Sequence, residues 1–233
     1  MIDLITLLFL ACFSTHASLE SIRIKSHRKQ VISISEPSDI CRVEGTDRYF
    51  IVSDQGRVFH WNPKGESKEL PIKLWDAEGV CFAKGLLCVM EETPRRVILI
   101  DTLTNKVVEE YSLPHQGGRN QGFESLACDD QGAFLSCTEK NPAEFRLLDP
   151  HFNEIKRFSI REISEVSAIA FHQNQWWVLS DEASCVYVLN RQFEYIRQIR
   201  INVFNPEGIT FSPDGEMLIL SDDLHTLYYF KLP

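Results

Sequence analysis

Three glutamates recur at one place in a repeated phrase. Glu78 sits in Asp76-Ala77-Glu78-Gly79-Val80, Glu124 in Gly122-Phe123-Glu124-Ser125-Leu126, and Glu207 in Asn205-Pro206-Glu207-Gly208-Ile209. Ser38 and Ser167 hold the same place in Glu36-Pro37-Ser38-Asp39-Ile40 and Glu165-Val166-Ser167-Ala168-Ile169. If the five phrases surround one axis, three carboxylates converge there. Two carboxylates about 5 Å apart repel by roughly 3 kcal/mol at an effective dielectric of 20, and three mutual pairs by on the order of 10 kcal/mol. Protonation, a Lys or Arg partner, or a bound cation relieves that. The three glutamate phrases contain no Lys or Arg. Hard carboxylate oxygens without His or Cys suit calcium better than zinc. Glu78, Glu124 and Glu207 are therefore candidate calcium ligands. The competing reading makes them acceptors for backbone N–H groups of neighbouring strands.

The elements that must position them follow from what surrounds each phrase. Behind Asn205–Ile209 come a short apolar strand to Phe211, a tight Ser212-Pro213-Asp214-Gly215 hairpin, a second apolar strand from Met217, and an acid at its end, Asp222. The phrases are spaced 40, 46, 43 and 40 residues apart. A strand-rich repeat of that length marks a β-propeller blade. No segment sustains helical apolar spacing for three turns. The expected fold is all-β: a five-bladed β-propeller over residues 19–233. The fifth blade lacks a fourth strand before the chain stops at Pro233, and the strand-like stretch at 19–35 would fill the gap, closing the ring and removing two sheet edges. The acids ending the second strands (Asp54, Glu91 or Glu92, Glu139, Asp181 or Glu182, Asp222 or Asp223) fall near the same mouth. Ser53-Asp54, Ser180-Asp181 and Ser221-Asp222 read first as strand-to-turn chemistry. Lys140, in Glu139-Lys140-Asn141-Pro142-Ala143-Glu144, is either an internal counter-charge or a contact for an anionic ligand group.

The 233 residues are 44% hydrophobic and carry a net charge of −9. That balance argues against nucleic acid and anionic membrane surfaces as partners. No apolar run reaches the roughly 18 residues of a membrane-spanning helix. Leu4 to Phe13 is apolar, and Thr15-His16-Ala17 offers a cleavage site before Ser18, so residues 1–17 read as a signal peptide and the protein as periplasmic or otherwise extracytoplasmic. The n-region departs from the usual pattern, with Asp3 and no Lys or Arg. Seven cysteines show no disulfide framework. Cys41, Cys81 and Cys128 read as small core residues, with a Cys81–Cys88 bridge the alternative. His60, His115, His151, His172 and His225 lie apart and read as surface or loop residues. Trp176-Trp177 reads as packing, one ring to each side of its strand. The Gly117-Gly118 loop lacks the Lys-Ser/Thr of a phosphate cradle.

Asp76-x-Glu78, Gly122-Phe123-Glu124-Ser125-Leu126-Ala127, Glu139-Lys140-Asn141-Pro142-x-Glu144 and Pro206-Glu207-Gly208-Ile209 together resemble the SdiA-regulated domain family of bacterial proteins, over about residues 30–233. The resemblance implies a five-bladed propeller, distantly similar to NHL-repeat proteins, with a calcium site and usually an export signal or membrane anchor. It implies no established activity. Glu78, Glu124 and Glu207 match the family's acidic openings, and Glu92 and Glu139 match the acids ending its second strands, which completes the expected ligand set. The expected function is an exported, monomeric, calcium-binding scaffold for an unknown small ligand or an envelope protein, with no catalytic residues assigned. The alternative is a calcium-dependent hydrolase of phosphoesters, esters or lactones, with Glu139 or Asp181 as base.

Overall fold

The computed structural model describes residues 20–115, 122–140 and 142–233. The apolar N-terminal segment, Cys12, the Gly117-Gly118 loop and Asn141 lie outside them. Two short strands, β1 (Glu20–Arg23) and β2 (Arg28–Val31), precede five meanders. The first blade is β3 (Pro37–Arg42), β4 (Tyr49–Ser53), β5 (Arg57–Trp61) and β6 (Ser67–Lys73); the second is β7 (Ala77–Ala83), β8 (Leu86–Glu91), β9 (Arg96–Asp101) and β10 (Lys106–Ser112). The third is β11 (Phe123–Cys128), β12 (Phe134–Thr138), β13 (Phe145–Leu148) and β14 (Glu154–Phe158); the fourth is β15 (Ala168–His172), β16 (Gln175–Ser180), β17 (Cys185–Leu189) and β18 (Tyr195–Arg200). The fifth has β19 (Pro206–Phe211), β20 (Met217–Ser221) and β21 (Thr226–Phe230).

Strand β2 pairs antiparallel with β21 and supplies the missing fourth strand, as the incomplete last repeat predicts. Strand β1 does something the sequence did not announce. It adds in parallel to the free edge of β18, giving the fourth blade a fifth strand. The innermost strands β3, β7, β11, β15 and β19 adjoin in a closed ring.

Burial follows from stacking blade on blade. Most inner and middle strands are buried on both faces, so they read as short continuous apolar runs, whereas outermost β10 and β14 are almost wholly exposed. The core is divided among five gaps between blades. Trp177 enters the gap between blades four and five, and Trp176 the gap between three and four. Cys81 and Cys88 stand opposite each other in register on β7 and β8 as free thiols; all six described cysteines are free.

The inner strands approach closely because one level of the ring is built of small residues, Gly79, Ser125, Ala168 and Gly208. A Cβ on Gly79 would sit 2.6 Å from the Leu126 nitrogen. The fifth residue at that level is Asp39, 1% exposed. Its carboxylate accepts the N–H groups of Ile40 at 2.7 Å and Val80 at 2.8 Å, and one from Ile209, so it ties blade one to blades two and five. Burial pushes its pKa well up, against the pull of those bonds. Asp39→Ala strands these N–H groups without acceptors, at about 1–3 kcal/mol each. We expect a loss of roughly 3 kcal/mol in denaturant unfolding; a loss under about 0.5 kcal/mol would show that Asp39 pins nothing.

Candidate functional site: an acidic mouth on the propeller axis

Four of the five recurring phrases enter their inner strand through a local irregularity that aims the third residue. The pairing register of β3, β7, β11 and β19 skips across Ser38, Glu78, Glu124 and Glu207 respectively. A bulge leaves its residue unpaired and re-aims its side chain. The first residues of three phrases, Glu36, Asp76 and Asn205, take left-handed φ values of 51°, 59° and 46°. Their carbonyls accept the N–H groups of Asp54, Glu92 and Asp222, which clamps each phrase to the end of its second strand.

The result is a cavity of about 380 Å³ at one end of the axis. Glu78, Glu124 and Glu207 all line it, as does Glu139. Among the described residues, ten of the lining side chains are carboxylic and one, Lys140, is cationic. Lys140 is already shared between Glu139 at 2.8 Å and Glu182 at 3.1 Å. It compensates those two acids rather than the three glutamates of the phrases.

Burial is the first cause of each raised carboxyl pKa here, and neighbouring carboxylates add to it. Glu78 is pushed up to about 8, with Asp76 and Asp54 the acids that add most. Glu124 is pushed up to about 10, with Glu78 and Glu92 adding, and Glu207 to about 8, with Asp181 and Asp222 adding. Asp54, Asp181 and Asp222 shift the same way. The carboxyls of Glu124 and Glu92 are hydrogen-bonded to each other.

Glu92 does not line the cavity. Its carboxylate accepts the Gly122 N–H at 3.0 Å and braces Glu124. Its neighbour Glu91 is fully buried, bonded to the Trp75 N–H and paired with Arg96. Sequence reasoning passed over Glu165, which lines the cavity and accepts hydrogen bonds from Ser167 Oγ at 2.8 Å, from Ser180 Oγ and from the Glu182 N–H at 3.2 Å. A signal was available: the two phrases with Ser in third place, at Ser38 and Ser167, carry Glu in first place, at Glu36 and Glu165. Ser38 is 7% exposed, lines the cavity, and its Oγ has no partner. No three His, Cys, Asp or Glu side chains among the described residues are gathered in metal-binding geometry.

Five meanders around a channel with a carboxylate-lined mouth define a small β-propeller with an axial acidic site. The chain belongs to the SdiA-regulated family, whose profile matches residues 68–231. It is 24% identical over 171 residues to the uncharacterized protein YidR of Escherichia coli strain K12, covering 67% of this chain and 40% of that protein. The chain thus spans well under half the length of that relative. Among solved structures, Myxococcus xanthus glutaminyl cyclase superposes with a TM-score of 0.69 at 13% identity, over 91% of this chain and 98% of the other. A streptogramin B lyase structure superposes at 0.55 and 13% identity, over 88% and 97%. At those identities the likeness is one of fold.

Proposed function

We propose that this propeller binds calcium at the acidic mouth and presents that face, so stabilised, as a binding scaffold outside the cytoplasm. The observation that carries the reading is the convergence of Glu78, Glu124 and Glu207 on one cavity whose lone lysine is spent on other acids. The donor set fits a hard cation in charge and type: among the described residues the lining offers carboxylate and hydroxyl oxygens and neither His nor Cys. Glu78, Glu124, Glu207 and Glu139 would hold it, with Glu165 and the unpartnered Ser38 Oγ within the same walls, and Glu92 positioning Glu124. The ion would neutralise the mouth and tie the blades together there.

The melting temperature measured with EDTA and then with calcium tests this. Ligand at about 100 times Kd stabilises by about 2.7 kcal/mol, a rise of roughly 5–10 °C for a chain of this size. Glu207→Gln should remove most of the rise. An unchanged melting temperature would end the calcium reading. Export rests on the apolar segment at Leu4–Phe13; the mature chain should begin at Ser18, and recovery of intact Met1 from the cytoplasm would refute it.

One observation favours turnover as a second reading. Asp181 lines the same cavity outside the proposed ligand set, and burial, with Glu182 beside it, raises its pKa, as suits a general base. A calcium-dependent hydrolase of esters, lactones or phosphoesters would use it so, with the glutamates on the ion. Hydrolysis in a substrate screen that disappears with Glu207→Gln decides for this reading; calcium stabilisation with no turnover decides for the scaffold.

A further inference from the structure

The inner strands end, at the opposite mouth, in a second cavity of about 510 Å³, a size typical of small-molecule pockets. The level holding Asp39 and the small residues lines neither cavity and lies between them in every inner strand. The second cavity has a different character. Phe82, Phe171 and Phe211 form its walls. Each ring is braced by another: Phe82 stacks on Phe50, Phe171 meets Trp176 edge-on, and Phe211 lies edge-on to Trp177. Walls fixed in this way lose little freedom when a ligand arrives.

Its polar groups leave an uneven account. Asp129 and Asp130 are both clamped by Arg191. The Arg42 guanidinium donates to the carbonyls of Phe211 at 2.8 Å and Thr46 at 3.3 Å, contacts that leave its charge unneutralised. Lys84, on the β7–β8 hairpin, lies against Gly132 and has no hydrogen bond or ion pair among the described residues. Among the described residues, Glu44 is the one lining acid without a cationic partner. His172 stacks on Phe211 with ring centroids 4.0 Å apart, and its Nε2 is buried without a partner. Burial, with Arg42 nearby, lowers its pKa, so the ring is neutral at pH 7.

We infer that this cavity is a second binding site, for a small organic anion with an aromatic or apolar body. The body would lie against Phe82, Phe171 and Phe211, and the anionic group would reach Lys84, with Arg42 as a second positive charge. His172 Nε2 would supply a directional hydrogen bond. Such a ligand is repelled from the acidic mouth, so the two ends of one channel would sort ligands by charge. The inference is independent of whether calcium binds at the other end.

Calorimetric titration with phenylbutanoate and with phenylbutylamine tests it. The carboxylate should bind at one site, saturating by about 10 mM, the range a ligand of about twelve heavy atoms commands. Lys84→Glu, a change on an exposed hairpin turn, should weaken it about tenfold or more, and Phe171→Ala should weaken it as well. Glu207→Gln and added calcium should leave it unchanged. No saturable binding to the native protein, or equal affinity in Lys84→Glu and Phe171→Ala proteins with native circular dichroism, would overturn the assignment. Tighter binding of the amine that Glu207→Gln abolishes would place the occupied site at the acidic mouth instead.

Discussion

Deleting residues 19–35 is expected to leave no soluble, cooperatively folding monomer. Strand β2 is the outer strand of the fifth blade, and its register fixes Arg28 opposite Tyr229, Lys29 opposite Tyr228 and Gln30 opposite Leu227. Arg28 lies 3.5 Å over the Tyr229 ring, whose hydroxyl donates to Gln30 Oε1, while Gln30 Nε2 donates to the Pro63 carbonyl of blade one. Ile32 and Ile34 then fill the gap between blades five and one beside Ile40, Trp61 and Leu227. Burying two isoleucines is worth about 3–6 kcal/mol, against a typical total stability of about 5–15 kcal/mol. The deletion also bares the edges of β18 and β21, each a template for pairing with another chain. Size-exclusion chromatography and thermal unfolding check this. A truncated protein that stays monomeric and melts within a few degrees of the parent would show that the ring closes without its N-terminal strands.

The ring itself was legible because a propeller writes each blade as the same phrase. The acids of the axis were legible for the same reason: the bulge that aims Glu78, Glu124 and Glu207 falls at a fixed place in each phrase, so alignment of the phrases found it. What was not legible depends on contacts between phrases. Asp39 reads as an ordinary acid until the strands of blades two and five bring their N–H groups to it. Glu165 was missed because its carboxyl reaches the cavity from two residues earlier than its counterparts. Strand β1 pairs in parallel with β18, more than 170 residues away, and no hairpin announces such a pairing. His172 reads as a loop histidine, yet it closes β15 with its ring on Phe211. The second cavity is built from side chains such as Phe82 and Phe211 that look in the sequence like core, because they are braced like core and merely happen to face an opening.

Without a divalent cation, the folded protein is expected to lose stability as pH rises from about 5 to 8. The unfolded chain releases the protons of Glu78, Glu124 and Glu207 near the ordinary glutamate value of 4.5, whereas the folded chain holds them to about 8, 10 and 8. Across that window the native state binds more protons than the unfolded state, so each pH unit destabilises it, by at most about 1.4 kcal/mol per carboxyl. The stabilisation is complete below 4.5 and has gone by about 8 for Glu78 and Glu207, while Glu124 carries the trend further. Contact with cavity water reduces the full figure, and a net loss of roughly 3 kcal/mol between pH 5 and 8 is expected. His60, His115 and His172 oppose it, because burial lowers their pKa and their burden fades as pH rises. The triple variant Glu78→Gln, Glu124→Gln, Glu207→Gln separates the two contributions. It keeps the shapes, removes the three largest ionisations of the mouth, and should melt higher than the parent at pH 8 in EDTA, with a shallower pH trend set by the histidines and by raised carboxyls such as Asp54, Asp181 and Asp222. Calcium should restore the parent and leave the variant unmoved, since the charge that makes the empty mouth costly is the charge an ion would need. A parent profile in EDTA that is flat from pH 5 to 8, or that the triple variant reproduces, would mean these carboxyls meet enough water to ionise freely, and the case for an ion at the axis would fall with it.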